Sequence, residues 1–205
     1  MNTPKLPLLA QVSGAHLVSH LHIMALPALL PLLPAAMDVS FVELGVALSL
    51  FNILSALVQA PLGFAVDRFG ARRMLLAGML LGSISFLSLG IMTSYAWLLV
   101  AMTFAGIANG VYHPANYALL SGGIDGARMG RAFSVHTFSG YLGGAVAPVL
   151  LIGAASLGDT RLAFALAGLA GLLAIAVLLL PTSEAAPGRV LPVRRGAGAA
   201  PIGRQ

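Results

Sequence analysis

The stretch Gly63-Phe64-Ala65-Val66-Asp67-Arg68-Phe69-Gly70-Ala71-Arg72-Arg73 sets a short charged turn between two long apolar runs. A turn in that position lies at a membrane surface, because charge within the hydrocarbon is costly. Each small or polar residue in it has a physical task. Gly63 has no side chain, so another helix can approach its backbone. Asp67 can accept hydrogen bonds from a neighbouring helix N-terminus, where a carboxylate is favoured. Gly70 permits a tight turn. Arg68, Arg72 and Arg73 hold the turn on the side of the membrane that carries most positive charge, the cytoplasmic one. An ordinary basic loop between helices is the plainer reading; the glycines in register with the charges set this one apart.

Composition extends the membrane reading to the whole chain. Hydrophobic residues make up 59% of it, charged residues 8%, and mean hydropathy is +0.95. A soluble domain carries about a quarter charged residues. A spanning helix needs about 20 mostly apolar residues, and six such runs lie near 9–34, 42–65, 74–93, 96–120, 132–157 and 162–181. The predicted fold class is therefore all-α, an integral membrane protein of six transmembrane helices. The first run is longer than the roughly 7–15 residues of a signal-peptide core and holds His16, His20 and His22, so it reads as a span. The absence of cysteine removes disulfides, thiol catalysis and cysteine metal sites.

A net charge of +5 invites a nucleic-acid reading, which the placement of charge opposes. Lys5, Arg68, Arg72, Arg73, Arg128, Arg131, Arg189, Arg194, Arg195 and Arg204 all fall on one side of a six-pass chain. Arg161 falls on the other, with Asp38, Glu43 and Asp159. This is the positive-inside bias, and it puts both termini in the cytoplasm, in a cytoplasmic (inner) membrane. The predicted partners are membrane lipid and a small-molecule solute, with no nucleic acid.

Connections are short: Thr93 to Tyr95, and Leu157 to Thr160, with a Gly-rich loop from Ser121 to Gly130. Pro27, Pro31 and Pro34 should bend the first helix near its outer end. Gly78 with Gly82, Gly106 with Gly110, and Gly140 with Gly144 are small-residue pairs that let helices pack closely. Residues 1–183 form the predicted membrane domain, and 184–205, rich in Pro, Gly, Ala and Arg without apolar periodicity, a disordered cytoplasmic tail.

Polar side chains inside a membrane point to function. Gln11, His16, His20 and His22 lie in the first run, Asn52 and Gln59 in the second, Asn109, His113 and Asn116 in the fourth, and His136 in the fifth. The third and sixth carry no His, Asn or Gln. Ser13, His16 and His20 share a helix face, as do Asn52, Ser55 and Gln59, and Asn109, His113 and Asn116 form a third stripe. His113 and His136 fall roughly 10 Å to the cytoplasmic side of their span centres, at about 1.5 Å per residue, on consecutive antiparallel helices. His16, His20, Asn52, Gln59, Asn109, His113, Asn116 and His136 are thus the candidate pathway residues. Asn109 and Asn116 also fit as glue between helices, and His22, off the His16/His20 face, fits as packing. His16 and His20 have the spacing of a metal pair, but two histidines without an acid do not close a site, so no metal and no cofactor is expected. Titration of His113 or His136 near neutral pH is a further use. No Ser/His/Asp set, carboxylate pair or phosphate-cradling loop is present, so an enzyme is not expected.

The pattern G-x-x-x-D-R-x-G-x-R-R over residues 63–73 resembles the signature of major facilitator superfamily transporters, between their second and third helices. The resemblance implies a gating loop made of Gly63, Asp67, Arg68, Gly70, Arg72 and Arg73. It also implies that the first, second, fourth and fifth helices face a cavity, with the third and sixth at the periphery. Val111 to Ser121, with His113-Pro114-Ala115-Asn116, and Arg131 to Thr137 look like the fosmidomycin-resistance-like branch, whose members are secondary transporters, some of them efflux pumps. Many of them carry Asp where this chain has Asn116, so proton coupling through that position is not implied. The superfamily fold has twelve helices in two halves around a central site. The chain is expected to be the amino-terminal half, working by alternating access with a second six-helix half. The alternative is a truncated, non-transporting fragment or interaction module.

Overall fold

The computed structural model describes residues 6–183. The expected tail at 184–205, Lys5 and the arginines of the tail lie outside the described residues. Among the described residues the α-helices are α1 (Leu8–Leu29), α2 (Leu33–Met37), α3 (Phe41–Phe69), α4 (Ala71–Leu89), α5 (Tyr95–Gly123), α6 (Met129–Leu157) and α7 (Thr160–Leu179), with a 3₁₀ turn at Gly126–Arg128. All but the five-residue α2 are long and apolar enough to cross a membrane. The all-α, six-span architecture read from the sequence is therefore the one observed. Within hydrocarbon a helix satisfies its own backbone, which is why each apolar run becomes one.

Two local expectations change. The first span does not bend at its prolines but ends: α1 stops at Leu29, and α2 starts afresh with a proline in its first turn. Proline lacks the donor that an uninterrupted helix needs. Asp38, at a left-handed φ of 53°, then turns the chain into α3. There Ser40 and Glu43 form a reciprocal cap, the Glu43 amide donating to Ser40 Oγ at 3.2 Å and the Ser40 amide to Glu43 Oε2 at 2.8 Å. The charged stretch, in turn, is not a loop. α3 runs through Asp67 and Arg68 to Phe69, and α4 resumes at Ala71, leaving Gly70, at φ 93°, as the whole turn. Only a residue without Cβ adopts that backbone at little cost.

α1 packs against α5, α6 and α7, α4 against α5 and α7, and α3 mainly against α5. α3 and α6 consequently keep long faces uncovered, with Phe64, Val42 and Leu57 exposed on one and Val149, Phe138 and Tyr141 on the other. Glycines set the close crossings. A Cβ on Gly106 would lie 2.6 Å from the Phe51 carbonyl oxygen, one on Gly110 2.6 Å from Val58 Cγ2, and one on Gly82 2.5 Å from the Tyr112 hydroxyl. Of the third expected pair, Gly140 is crowded but Gly144 is not; Gly143, against the Leu17 backbone, takes its place. Gly63 is also looser than expected, a Cβ there reaching Pro114 only at 4.0 Å.

The charge split seen in the sequence corresponds to two ends of the bundle. At one end Arg72 donates to the Leu178 and Leu180 carbonyls, and Gln11 donates to Leu180 at 2.9 Å. Leu6 pairs there with Pro181 and Ser183, and Arg128 and Arg131 line a cavity with Pro7 and Leu9. At the other end Arg161 reaches Thr93 Oγ1 at 3.5 Å, and Tyr95 donates to the Glu43 carbonyl at 3.3 Å.

Candidate functional site

α1, α5 and α6 bring four imidazoles together. His16 and His20 are one helical turn apart on α1, with ring centroids 4.6 Å apart. α6 lies close because Gly140 has no side chain: a Cβ there would be 2.5 Å from His16 Cε1 and 2.9 Å from His20 Nε2. One turn earlier on α6, His136 stacks flat on His16, with centroids 3.8 Å apart and ring planes 10° apart. α5 adds His113, whose ring lies 5.6 Å from His16 and 6.5 Å from His20. His16 and His136 are buried, while His20 and His113 are half-buried.

Hydrogen bonding around the rings is sparse. His16 Nδ1 lies 2.8 Å from the His136 carbonyl oxygen, which can only accept, so this nitrogen carries the proton. His16 Nε2, His113 Nδ1 and both His136 nitrogens are buried with no partner among the described residues. Asn116, fully buried one turn beyond His113, has neither amide atom satisfied. A buried polar group without a partner costs about 1–3 kcal/mol, and native chains tolerate several together chiefly at functional sites.

The other expected pathway residues stand apart from this cluster. Asn109 donates to Ser55 Oγ at 2.7 Å and joins α5 to α3, the packing use that the sequence left open. Asn52 is exposed and donates back to the Leu48 carbonyl of its own helix at 2.9 Å. Gln59 is exposed on the same uncovered side of α3. His22 has the packing role expected of it, buried against Phe86 and hydrogen-bonded to the Ala167 carbonyl at 2.9 Å. Of the charged stretch, Arg72 closes the end of α7, whereas Asp67, Arg68 and Arg73 are exposed.

Sequence reasoning missed two aromatic neighbours. Tyr117 lies 5.7 Å from His113 and 6.1 Å from His136, and Tyr141 lies 6.4 Å from His20. Tyr117 follows His113 by one helical turn, a signal that scoring only His, Asn and Gln passed over. The third histidine beside His16 and His20 could not have been found by spacing, because it comes from another helix.

Six membrane-length helices with a polar cluster walled by three of them define a multi-pass helical membrane domain. The chain belongs to the Major Facilitator Superfamily, whose family profile matches residues 12–203. Two relatives bear this out. The uncharacterized MFS-type transporter YfnC of Bacillus subtilis is 25% identical over 146 residues, covering 70% of this chain and 35% of its own length. The fosmidomycin resistance protein of Escherichia coli is 27% identical over 172 residues, covering 83% and 42%. The chain thus spans less than half the length of these two relatives. Among solved structures, the peptide transporter POT in complex with sulfate superposes with a TM-score of 0.75 at 18% identity, over 85% of this chain and 39% of that one. A bacterial homologue of the human lysosomal transporter Spinster gives 0.71 at 18% identity, over 89% and 44%. At such identity these two speak for the fold alone. Family membership groups the chain with transport proteins rather than with enzymes.

Proposed function

We propose that the chain is the amino-terminal half of a secondary transporter, moving a small solute by alternating access together with a second six-helix half. The observation that carries this reading is the imidazole cluster. Intramembrane polar groups left without partners are costly, and lining a solute or ion pathway is one use that repays the cost. His16, His20, His113 and His136 would line that pathway, with Asn116 behind them and Asn52 and Gln59 on the approach. The exposed Gln59 supports a second half, since an amide facing lipid costs free energy that a wet cavity or partner helix removes.

Asp67, in the last turn of α3, has no hydrogen-bond partner among the described residues and sits at a helix C-terminus, where negative charge is disfavoured. A helix N-terminus of the second half would satisfy it, so Gly63, Asp67, Arg68, Gly70 and Arg73 serve as the gate, with Arg72 anchoring it. The membrane is a bacterial inner membrane, and the end carrying Arg68, Arg72, Arg73, Arg128 and Arg131 faces the cytoplasm. Residues 1–183 are the membrane domain and 184–205 the tail. The solute is a small molecule or drug moved outward, by analogy with the relative named for fosmidomycin resistance.

The test pairs this chain with the carboxyl-terminal six helices of that relative in a fosmidomycin-sensitive host. Copurification shows assembly, and the tolerated drug concentration is the readout. Tolerance above that of either half alone, abolished by His113→Ala, is expected. A pair that assembles and gives no gain would overturn the drug-efflux assignment.

A further inference from the structure

We propose that His16, His20 and His113 form a binding site for a divalent transition-metal ion. One ring nitrogen from each residue lies within 4.8 Å of the other two. Three imidazole nitrogens around a tetrahedral Zn²⁺, each at about 2.0–2.1 Å, stand about 3.4 Å apart. The difference is within reach of side-chain rotation, without movement of α1 against α5.

Hydrogen bonding prepares one ligand. The His136 carbonyl holds the proton of His16 on Nδ1, at 2.8 Å, which leaves Nε2 of the neutral ring with its lone pair free, buried and unpartnered. A metal-bound histidine almost always donates its other nitrogen to a carbonyl or carboxylate in this manner. His113 Nδ1 is likewise buried without a partner. Gly140 supplies the space, since its Cβ would strike both His16 and His20.

The charge balance favours a metal over an anion. Binding an anion would require protonated rings a few ångströms apart, and the helix stretches around them carry no carboxylate to stabilise that charge. A metal ion needs the rings neutral and uses the lone pairs now left idle. Imidazole suits Zn²⁺, Cu²⁺ and Ni²⁺ among common ions. The three ligands leave a fourth position for water, hydroxide or an anionic group of a solute. His136 stays outside the ligand set, stacked on His16 and contributing its carbonyl.

The site is read on the chain alone, so its failure would leave the transport reading untouched. Tag-free chain in detergent micelles is titrated with Co²⁺, followed by Zn²⁺. The visible absorption of a four-coordinate Co²⁺ site, saturating at one equivalent and erased by Zn²⁺, is expected. His20→Gln and His113→Gln should each weaken Zn²⁺ binding at least tenfold. Neither side chain has a hydrogen bond among the described residues, so both variants should keep the wild-type helical circular dichroism. His16→Gln serves as the third arm. Zn²⁺ should raise the unfolding midpoint of the wild-type chain and of none of the three. Absence of saturable one-to-one binding, or binding indifferent to these substitutions, would overturn the site.

Discussion

Arg72 and Arg73 are adjacent, equally charged members of one motif, yet the structure gives them opposite energetic weight. The Arg72 guanidinium donates through Nη2 to the Leu178 carbonyl and, at 3.1 Å, to the Leu180 carbonyl. These belong to the last turn of α7, where carbonyls lack partners within the helix and the helix end is partially negative. A hydrogen bond to a charged group contributes about 1.5–3 kcal/mol, and a cation at a helix C-terminus about 0.3–1 kcal/mol more. Arg72 is half-buried, so screening trims the sum, and Arg72→Gln should cost about 2 kcal/mol. Arg73 is exposed and has no hydrogen bond among the described residues, so Arg73→Gln should stay within about 0.5 kcal/mol. Reversible unfolding in mixed dodecylmaltoside and dodecylsulfate micelles measures both. Amide exchange adds a local readout. Leu6 pairs with Pro181 and Ser183, and Gln11 shares the Leu180 carbonyl, so losing Arg72 should speed exchange at the ends of both α1 and α7. Equal losses for the two arginines, or no loss and unchanged exchange for Arg72→Gln, would refute the anchoring role.

Four further outcomes are expected. Gly140→Ala places a methyl 2.5 Å from His16 Cε1 and should destabilise by about 1–3 kcal/mol, while Gly144→Ala, meeting only Met24 Cγ at 3.7 Å, should be neutral in the same unfolding assay; similar effects would contradict the placement of α6. In an assembled twelve-helix protein, cysteines replacing His20, Gln59 and His113 should react with a hydrophilic thiol reagent and those replacing Leu87 and Ala170 should not, with Asn116→Cys slow because the site is fully buried; uniform labelling would reduce the polar stripes to packing. Reporter fusions after Arg73 and at the carboxyl end should read as cytoplasmic and one after Ser94 as periplasmic, and a reversed pattern would sink the proposed orientation. Asp67→Asn should slow transport at unchanged protein level, because the carboxylate is exposed and has no hydrogen bond or ion pair among the described residues; wild-type transport would remove Asp67 from the gate.

Much of the fold was legible because a bilayer leaves the chain few choices. A run such as 162–181 must satisfy its own backbone in hydrocarbon and becomes a helix whatever its neighbours do. Its observed bounds, Thr160–Leu179, lie within two residues of the reading. Basic residues sort to one end by membrane electrostatics rather than by packing, so that division was also readable. The charged stretch was legible as a membrane-surface turn. That it shrinks to Gly70 was not, since exposed charged residues such as Asp67 and Arg68 are compatible both with a loop and with a helix extended past the membrane surface.

The sequence by itself determined six helices, their alternating direction and the helices that carry polar side chains. It did so through hydropathy, charge and local spacing, which act along one helix at a time. Tertiary structure alone decided which polar residues meet. Asn109, in the same stripe as His113, turned to Ser55 on α3, while His113 joined two histidines of α1, one of which stacks on a fourth from α6. Gly106 and Gly110, lacking side chains, let α5 close on α3, and Gly140 and Gly143 let α6 close on α1. Such contacts join residues from 54 to 120 positions apart, and no periodicity along the chain records them.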